Sequence, residues 1–389
     1  MNLFLDPSSL FFLPGGIPLY TLRLFQQLPE TDAVVRLHTG LATLRPARHQ
    51  KLLGILSGNG LAPTVTRVLL PGLVTRRAPR LGDCLARPRL PEMDIVHATA
   101  NTPPVWLPAR RRALVLTIHD LVFFRHPGTG FAHQGYENWM KKTLIPAARQ
   151  ADMILTVSEF TKREVIDLLG VPEEKIAVTP IATQWTDSIP TSTSADTPIF
   201  LRHHGFLPNR YFLSVGQLSP RKNFGTLLEA FEHFRQKQMD ARLVIVGRPG
   251  WNTQELVGRL EAGLPGVTWI RECTGNDLRT LYQYARAFFL VSWYEGFGIP
   301  LLEAMQCGCP TCYATGSSMN EIAGEAGIPV HPQNTRGITD AMSALWNTPE
   351  LAETLREKGR LRAADFSWHR TAKATMNAYR MALAHDYRH

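Results

Sequence analysis

Short apolar runs alternate with amphipathic stretches along almost the whole chain, and that alternation is the signature of βαβ units and a parallel sheet. MNLFLD reads as a first buried strand, and MDIVHA, ALVLTIHD and MILTVS as further ones, each ending in small polar residues. GYENWMKKTLIPAARQA and SEFTKREVIDLLG read as helices, the second with Ser158 as its N-cap and Gly170 at its end. VPEEKIAVTPIA reads as a turn and another strand. Residues 186–199, TDSIPTSTSADTPI, are poor in apolar side chains and rich in Ser, Thr and Pro, a linker composition. A second set then follows: YFLSVG, the helix NFGTLLEAFEHFRQK, ARLVIVG, VTWIRE, the helix NDLRTLYQYA and the strand AFFLVS. A chain of 389 residues exceeds one ordinary core. The expected architecture is therefore α/β, with two doubly wound domains at 1–185 and 200–365 joined by the linker at 186–199. The amphipathic tail, 366–389, is expected to form a helix that packs back across both halves.

A hydrophobic fraction of 44% with 19% charged residues is that of a soluble globular protein. No apolar run reaches the roughly 18 residues that span a bilayer. The N-terminus lacks a basic leading segment and is interrupted by Asp6, Pro7 and Pro14, so it does not read as a signal peptide and a cytoplasmic location is expected. Five cysteines fit reduced thiols rather than a disulfide framework. The cluster CGCPTC (Cys307, Cys309, Cys312) lacks a fourth ligand at zinc spacing, and small buried side chains beside a turn are the better account. The net charge of +9 is uneven. Arg36, Arg45, Arg48, Lys51, Arg67, Arg76, Arg77, Arg80, Arg87 and Arg89 face one acid, Asp83, and Arg110, Arg111 and Arg112 follow. Such a face attracts polyanions. No helix-turn-helix, zinc finger or RNP-type motif is present, so nucleic acid is not expected and an anionic membrane surface is the alternative to a merely solvated face.

Ligands of open α/β sheets bind outside the carboxyl ends of the strands. After YFLSVG comes QLSPRKN, which puts Arg221 and Lys222 at a strand-to-helix junction. Cations at a helix start are unfavourable by a few tenths of a kcal/mol, which favours a binding role, and a diphosphate would meet both of them together with the helix dipole. After FFLVS comes WYEGFGIPLLEAM. Gly296 and Gly298 leave the backbone open to close approach, and Pro300 suits the first turn of a helix whose amides can cradle phosphate. Glu295 is expected to project from the loop into the ligand cleft and Glu303 to lie one turn inside the helix, as acceptors for neighbouring hydroxyls.

VGQLSPRKN, LVIVG, LYQYARAFFLVSWYEGFGIPLLEAMQCGCP and SSMNEIAGEAG together resemble the donor-binding domain of the retaining, GT-B-fold glycosyltransferases of family 4. GGIPLYTLRLFQQL, TIHDLVFFRHP and ADMILTVSEFTKREVIDLLGVPEEKI extend the resemblance through the first half. It implies the GT-B fold: two Rossmann-like domains facing across a cleft, with a C-terminal helix crossing back. It also implies roles. Arg221 and Lys222 match the basic pair on the nucleotide diphosphate, Glu295 the acid on donor-sugar hydroxyls, and Glu303 the acid on the ribose. The backbone of Gly296, Phe297 and Gly298 would face sugar and diphosphate. Residues 272–278, with Cys273, Asn276 and Leu278, match the loop that clasps the base. His119 matches a cleft histidine near the donor sugar and acceptor, and Gly15 and Gly16 match the glycine loop that approaches the diphosphate. Taken without the resemblance, TIHD is also compatible with a loop cap, and Asp120 with either an imidazole partner or a cap. Gln217 stands where many relatives carry Arg, Pro18 follows the glycine pair closely in an unusually apolar first loop, and VHATANTPP replaces an HGPN-like run.

The implied reaction is transfer of a hexose, mannose or a deoxymannose such as rhamnose, from a GDP-sugar to a lipid-linked saccharide in surface polysaccharide or O-antigen assembly. Retention of anomeric configuration is implied. The chain has no DxD element, so neither a metal nor another cofactor is expected. The basic N-terminal domain would hold the enzyme peripherally at the inner face of the cytoplasmic membrane. The alternatives are a UDP- or ADP-sugar donor, a GT-B nucleotide-sugar epimerase, and a non-catalytic nucleotide-sugar-binding module.

Overall fold

The computed structural model describes residues 1–12, 15–31, 35–42, 46–68, 92–101, 108, 111–131, 134–185 and 198–385. Thirteen strands in these residues form two sheets, every pairing parallel. The first contains β1 (Asn2–Leu5), β2 (Arg36–Ala42), β3 (Thr64–Val68), β4 (Met93–Ala98), β5 (Arg111–Ile118), β6 (Met153–Thr156) and β7 (Ile176–Val178), in the order β3-β2-β1-β4-β5-β6-β7. The second contains β8 (Tyr211–Val215), β9 (Arg242–Val246), β10 (Val267–Ile270), β11 (Ala287–Leu290), β12 (Thr311–Ala314) and β13 (Gly327–Val330), in the order β10-β9-β8-β11-β12-β13. Both sheets are doubly wound. The direction of winding reverses between β1 and β4 in one and between β8 and β11 in the other, and those reversals are where such sheets open a ligand crevice.

Contacts divide the chain into two units: Met1–Arg125, Gly135–Ala182 and Ser367–His389 in one, His126–Gln134 and Thr183–Phe366 in the other. The terminal helix Trp368–His385 belongs to the first unit, where it packs on the helix Gly16–Thr31 and Thr371 Oγ1 donates to the Pro180 carbonyl at 2.6 Å. His126–Gln134, in the middle of the first half of the sequence, joins the second unit instead. There Trp251 Nε1 and Asn252 Nδ2 donate to the Gly130 carbonyl, and His126 meets the Tyr294 ring edge-on at 5.8 Å. Nearly all of the sequence-predicted linker, 186–197, lies outside the described residues, as does the basic stretch holding Arg76, Arg77, Arg80, Arg87, Arg89 and, further on, Arg110.

Strands such as MDIVHA and YFLSV read as apolar runs because both faces of each sheet are covered. In the first sheet Leu3, Phe4, Leu5, Ile95, Val96 and Val115 are wholly buried. In the second, Phe212 packs edge-on against Phe234 and Phe289 at 5.3 and 5.1 Å. Helix ends follow local chemistry. Ser158 Oγ accepts from the Thr161 amide, and Gly170 closes the helix Glu159–Leu169 in the left-handed region at φ 66°. Cys307, Cys309 and Cys312 are buried and free, packed around the end of the helix Ile299–Gln306 and in β12.

A candidate nucleotide-diphosphate site at the switch point of the second sheet

β8 and β11 are neighbours at the reversal of the second sheet, so the loops that leave their carboxyl ends meet. The loop after β8 turns through Pro220–Lys222 and enters the helix Phe224–Arg235 at Asn223. Asn223 sits in the left-handed region at φ 58°. Its Nδ2 donates to the Val291 carbonyl at 3.0 Å and to the Pro332 carbonyl at 2.7 Å, which clamps the PRKN turn onto the end of β11. The Trp293 amide donates to the Arg221 carbonyl at 2.9 Å, a second tie between the two loops. Beside them, a Cβ built on Gly247 would lie 2.0 Å from the Gly216 carbonyl oxygen, so only glycine permits the loops after β8 and β9 to approach this closely.

This scaffold holds a charged triad. Glu295 is 6% exposed, with Oε1 2.6 Å from Lys222 Nζ and Oε2 2.7 Å from Arg221 Nη1. The sequence-based expectation had Glu295 projecting towards a ligand; in the structure its carboxylate also faces the two cations. Burial alone would push the carboxyl group up, but the charges of Arg221 and Lys222 and their hydrogen bonds outweigh it and hold Glu295 down at about 2. Lys222 is buried too. Loss of water draws its value down, Glu295 opposes that, and Arg221 adds to it. A nitrogen 2.6 Å from an ionised carboxylate is an ammonium. Two cations on one carboxylate leave a local charge of +1 in a site with little water, an arrangement able to attract an anion.

Past Glu295, the chain runs through Gly296, Phe297 and Gly298 into the helix Ile299–Gln306. Gly298 caps this helix at φ 97°, a conformation that a side chain would strain, and Pro300 stands in its first turn. The Phe297 ring is buried edge-on to Phe366 at 5.8 Å. Ser318 Oγ donates to the Glu295 carbonyl at 2.8 Å. The buried hydroxyls of Ser292 and Ser317, in the loops after β11 and β12, make no hydrogen bond among the described residues. Sequence reading did not single out these two hydroxyls.

Glu303 differs sharply from Glu295. It is 5% exposed and its two oxygens accept from neutral donors, Gln184 Nε2 at 2.9 Å and the Tyr282 hydroxyl at 3.2 Å. With no cation to offset burial, its value rises to about 7 in spite of both hydrogen bonds. Gln184 and Tyr282 were not legible as site residues. Residues 272–278 form the N-terminal turn of the helix Gly275–Tyr284, with a capping box in which Thr274 Oγ1 accepts from the Asp277 amide at 3.1 Å. Asn276 is exposed and Cys273 and Leu278 are half-buried.

In the first unit, His119 follows β5 and is buried. Its Nε2 lies 2.9 Å from the Thr99 carbonyl, an acceptor only, so that nitrogen carries the proton. Burial lowers the imidazole to about 4, so it is neutral at physiological pH. Its amide donates to Asn101 Oδ1 at 2.6 Å, and Tyr20 meets the ring edge-on at 4.9 Å. The Thr99 carbonyl, rather than Asp120, therefore orients the ring. Gly15 and Gly16 stand, exposed, at the start of the helix Gly16–Thr31.

Two family models match the chain in sequence: Glycosyltransferase Family 4 over residues 14–182 and Glycosyl transferases group 1 over residues 201–362. The O-antigen chain mannosyltransferase B of Escherichia coli is 32% identical over 283 residues, 72% of this chain and 73% of that one. The chain belongs to the family 4, group 1 glycosyltransferases. It is also similar to an MMP alpha-(1->4)-mannosyltransferase of Mycolicibacterium hassiacum, 27% identical over 61% of this chain and 56% of the relative. Among solved structures, Anabaena Alr3699/HepE in complex with UDP and glucose superposes with a TM-score of 0.71 at 18% identity, covering 97% of this chain and 98% of the other. The GT-B, two-domain α/β fold of this glycosyltransferase follows from such neighbours.

Proposed function

We propose that this glycosyltransferase moves a mannosyl or deoxymannosyl unit from a GDP-sugar to a lipid-linked saccharide, with retention of anomeric configuration and without a metal. The observation that carries the donor chemistry is the buried Arg221–Lys222–Glu295 triad at the β8/β11 switch point. Cleavage of the sugar–phosphate bond leaves negative charge on the departing diphosphate, and preorganised cations and amides stabilise it most where water is scarce. Arg221 and Lys222 take that charge, the amides of Gly296 to Gly298 add dipoles, and Glu295 passes its free lone pairs to donor-sugar hydroxyls while retaining the cations. Glu303 accepts from the ribose hydroxyls, and residues 272–278 bound the base. His119 serves the donor sugar and the acceptor hydroxyl through Nδ1, its Nε2–H being committed to Thr99. Gly15 and Gly16 give the diphosphate access to backbone.

The mannosyl donor is favoured by the relatives named as mannosyltransferases, one of them acting on O-antigen chains. A peripheral position on an anionic membrane is favoured by Phe12, 73% exposed, and by Arg48 and Lys51, which lie 5.0 and 6.0 Å from the ring of the adjacent Phe11. Among the described residues no helix is long and apolar enough to cross a membrane. The direct test is incubation with GDP-mannose and a lipid-diphosphate-linked saccharide, with the product linkage read by NMR. An α-mannoside with release of GDP is expected. An inverted product, or turnover only with a UDP- or ADP-sugar, would contradict the proposal.

A further inference from the structure

The segment Thr183–Trp185, just before the undescribed stretch 186–197, runs against the part of the second unit that holds Glu303. Gln184 Nε2 donates to Glu303 Oε1 at 2.9 Å across 119 residues of sequence. The other end of the same amide lies at the base loop: a Cβ on Gly275 would be 3.6 Å from Gln184 Oε1. Trp185 sets its ring edge-on to Tyr282 at 6.0 Å, and Tyr282 is the second hydrogen-bond donor to Glu303. On either side, Thr183 Oγ1 donates to Gln306 Oε1, and Gln306 Nε2 donates to the Trp185 carbonyl at 3.1 Å, so the segment is pinned to the same helix that carries Glu303.

From this geometry we infer that Gln184 is a positioning residue for nucleoside recognition: it fixes the Glu303 carboxylate and joins it to the N-terminal turn of the helix Gly275–Tyr284. The inference rests on the proposal that Glu303 receives the ribose of a nucleoside diphosphate. Each carboxylate oxygen has two acceptor positions. Gln184 occupies one on Oε1 and Tyr282 one on Oε2, which leaves one on each oxygen and sets the plane in which a vicinal diol must bind. The pair does this with neutral donors only. Among the described residues, the titratable groups facing Glu303 are Tyr282 on the neighbouring helix, Cys273 in the loop before it and Cys307 at the end of Glu303's own helix. None of them supplies a positive charge, so the hydrogen bonds from Gln184 and Tyr282 are what favours the ionised, accepting form.

Calorimetric titration of GDP into the full chain between pH 6.5 and 8.5 tests this with the wild type, Gln184→Ala, Gln184→Glu and Glu303→Ala. Titration of the GDP phosphate is common to all four and cancels when affinities are compared as ratios. Gln184→Ala is expected to weaken GDP about tenfold at pH 8, the loss of one hydrogen bond to a charged group. It should also move the pH midpoint of binding upwards, which a merely structural role would not do. Gln184→Glu, which sets a second acid against Glu303, is expected to weaken binding further and move the midpoint in the same direction. If Glu303→Ala loses affinity while both Gln184 variants keep wild-type affinity and midpoint, the inference about Gln184 is wrong and the ribose role stands. If Glu303→Ala binds GDP as tightly as the wild type, the ribose role itself fails.

Discussion

Replacing Glu303 by Gln should stabilise the folded protein at alkaline pH while it impairs donor binding. Glu303 is buried among neutral donors, and its value rises from 4.5 to about 7 on folding. The folded state thus holds a proton that the unfolded chain releases between these two values. The stabilisation is present in full below about pH 4.5 and is lost as pH rises through about 7. A shift of that size is worth about 3 kcal/mol in total, of which about 2.5 kcal/mol titrates between pH 5 and pH 8. The substituted glutamine cannot ionise, its oxygen can still accept from Gln184 and its amide can donate to the Tyr282 hydroxyl, so the contacts survive in altered polarity. The advantage of Glu303→Gln over wild type should therefore grow by about 2.5 kcal/mol from pH 5 to pH 8. For a unit of this size that is roughly 5–10 °C in melting temperature. Urea and thermal unfolding of both proteins at the two pH values measure it. If the difference between the two proteins is the same at pH 5 and pH 8 within about 0.5 kcal/mol, Glu303 is not held protonated by burial and the reasoning is refuted.

Lys222→Ala should cut donor turnover by at least about a hundredfold, since one charge-assisted contact to the developing diphosphate is worth on the order of 2–4 kcal/mol, and Glu295→Ala, which removes the carboxylate that holds both cations, should cut it by as much; folded variants that turn over at the wild-type rate would remove the triad from the mechanism. Asn223→Ala should lower stability by about 2–4 kcal/mol in urea unfolding, because it orphans the Val291 and Pro332 carbonyls and forces alanine into the left-handed region. Asn223→Gly should recover the backbone part only, and a glycine variant as stable as the wild type would count against the clamp.

The parallel strands with long apolar runs were legible because burial on both faces writes them as Val, Ile, Leu and Phe, as in MDIVHA and YFLSV. β2, β3, β12 and β13 were not picked out: RLHTGLA, TVTRV, TCYA and GIPV mix Thr, Gly and Pro into short elements whose apolar period is lost. The triad was legible in part. Strand-to-loop junctions marked Arg221, Lys222 and Glu295, yet nothing local reveals that the carboxylate faces the cations, which is a contact across 73 residues. Gln184 and Tyr282 escaped for the same reason, since a neutral side chain acquires meaning only from what folding sets beside it. His126–Gln134 shows the converse, a stretch whose sequence sits in the first half and whose packing lies in the second unit.

The most direct test of the donor assignment is calorimetry of the purified chain against GDP, UDP, ADP and their sugars at pH 8, repeated with Lys222→Ala. Saturable binding of one nucleoside diphosphate, GDP, that weakens by about tenfold or more in Lys222→Ala is expected. Equal, weak heats for every nucleotide, or binding indifferent to Lys222, would contradict a diphosphate site built on the Arg221–Lys222–Glu295 triad.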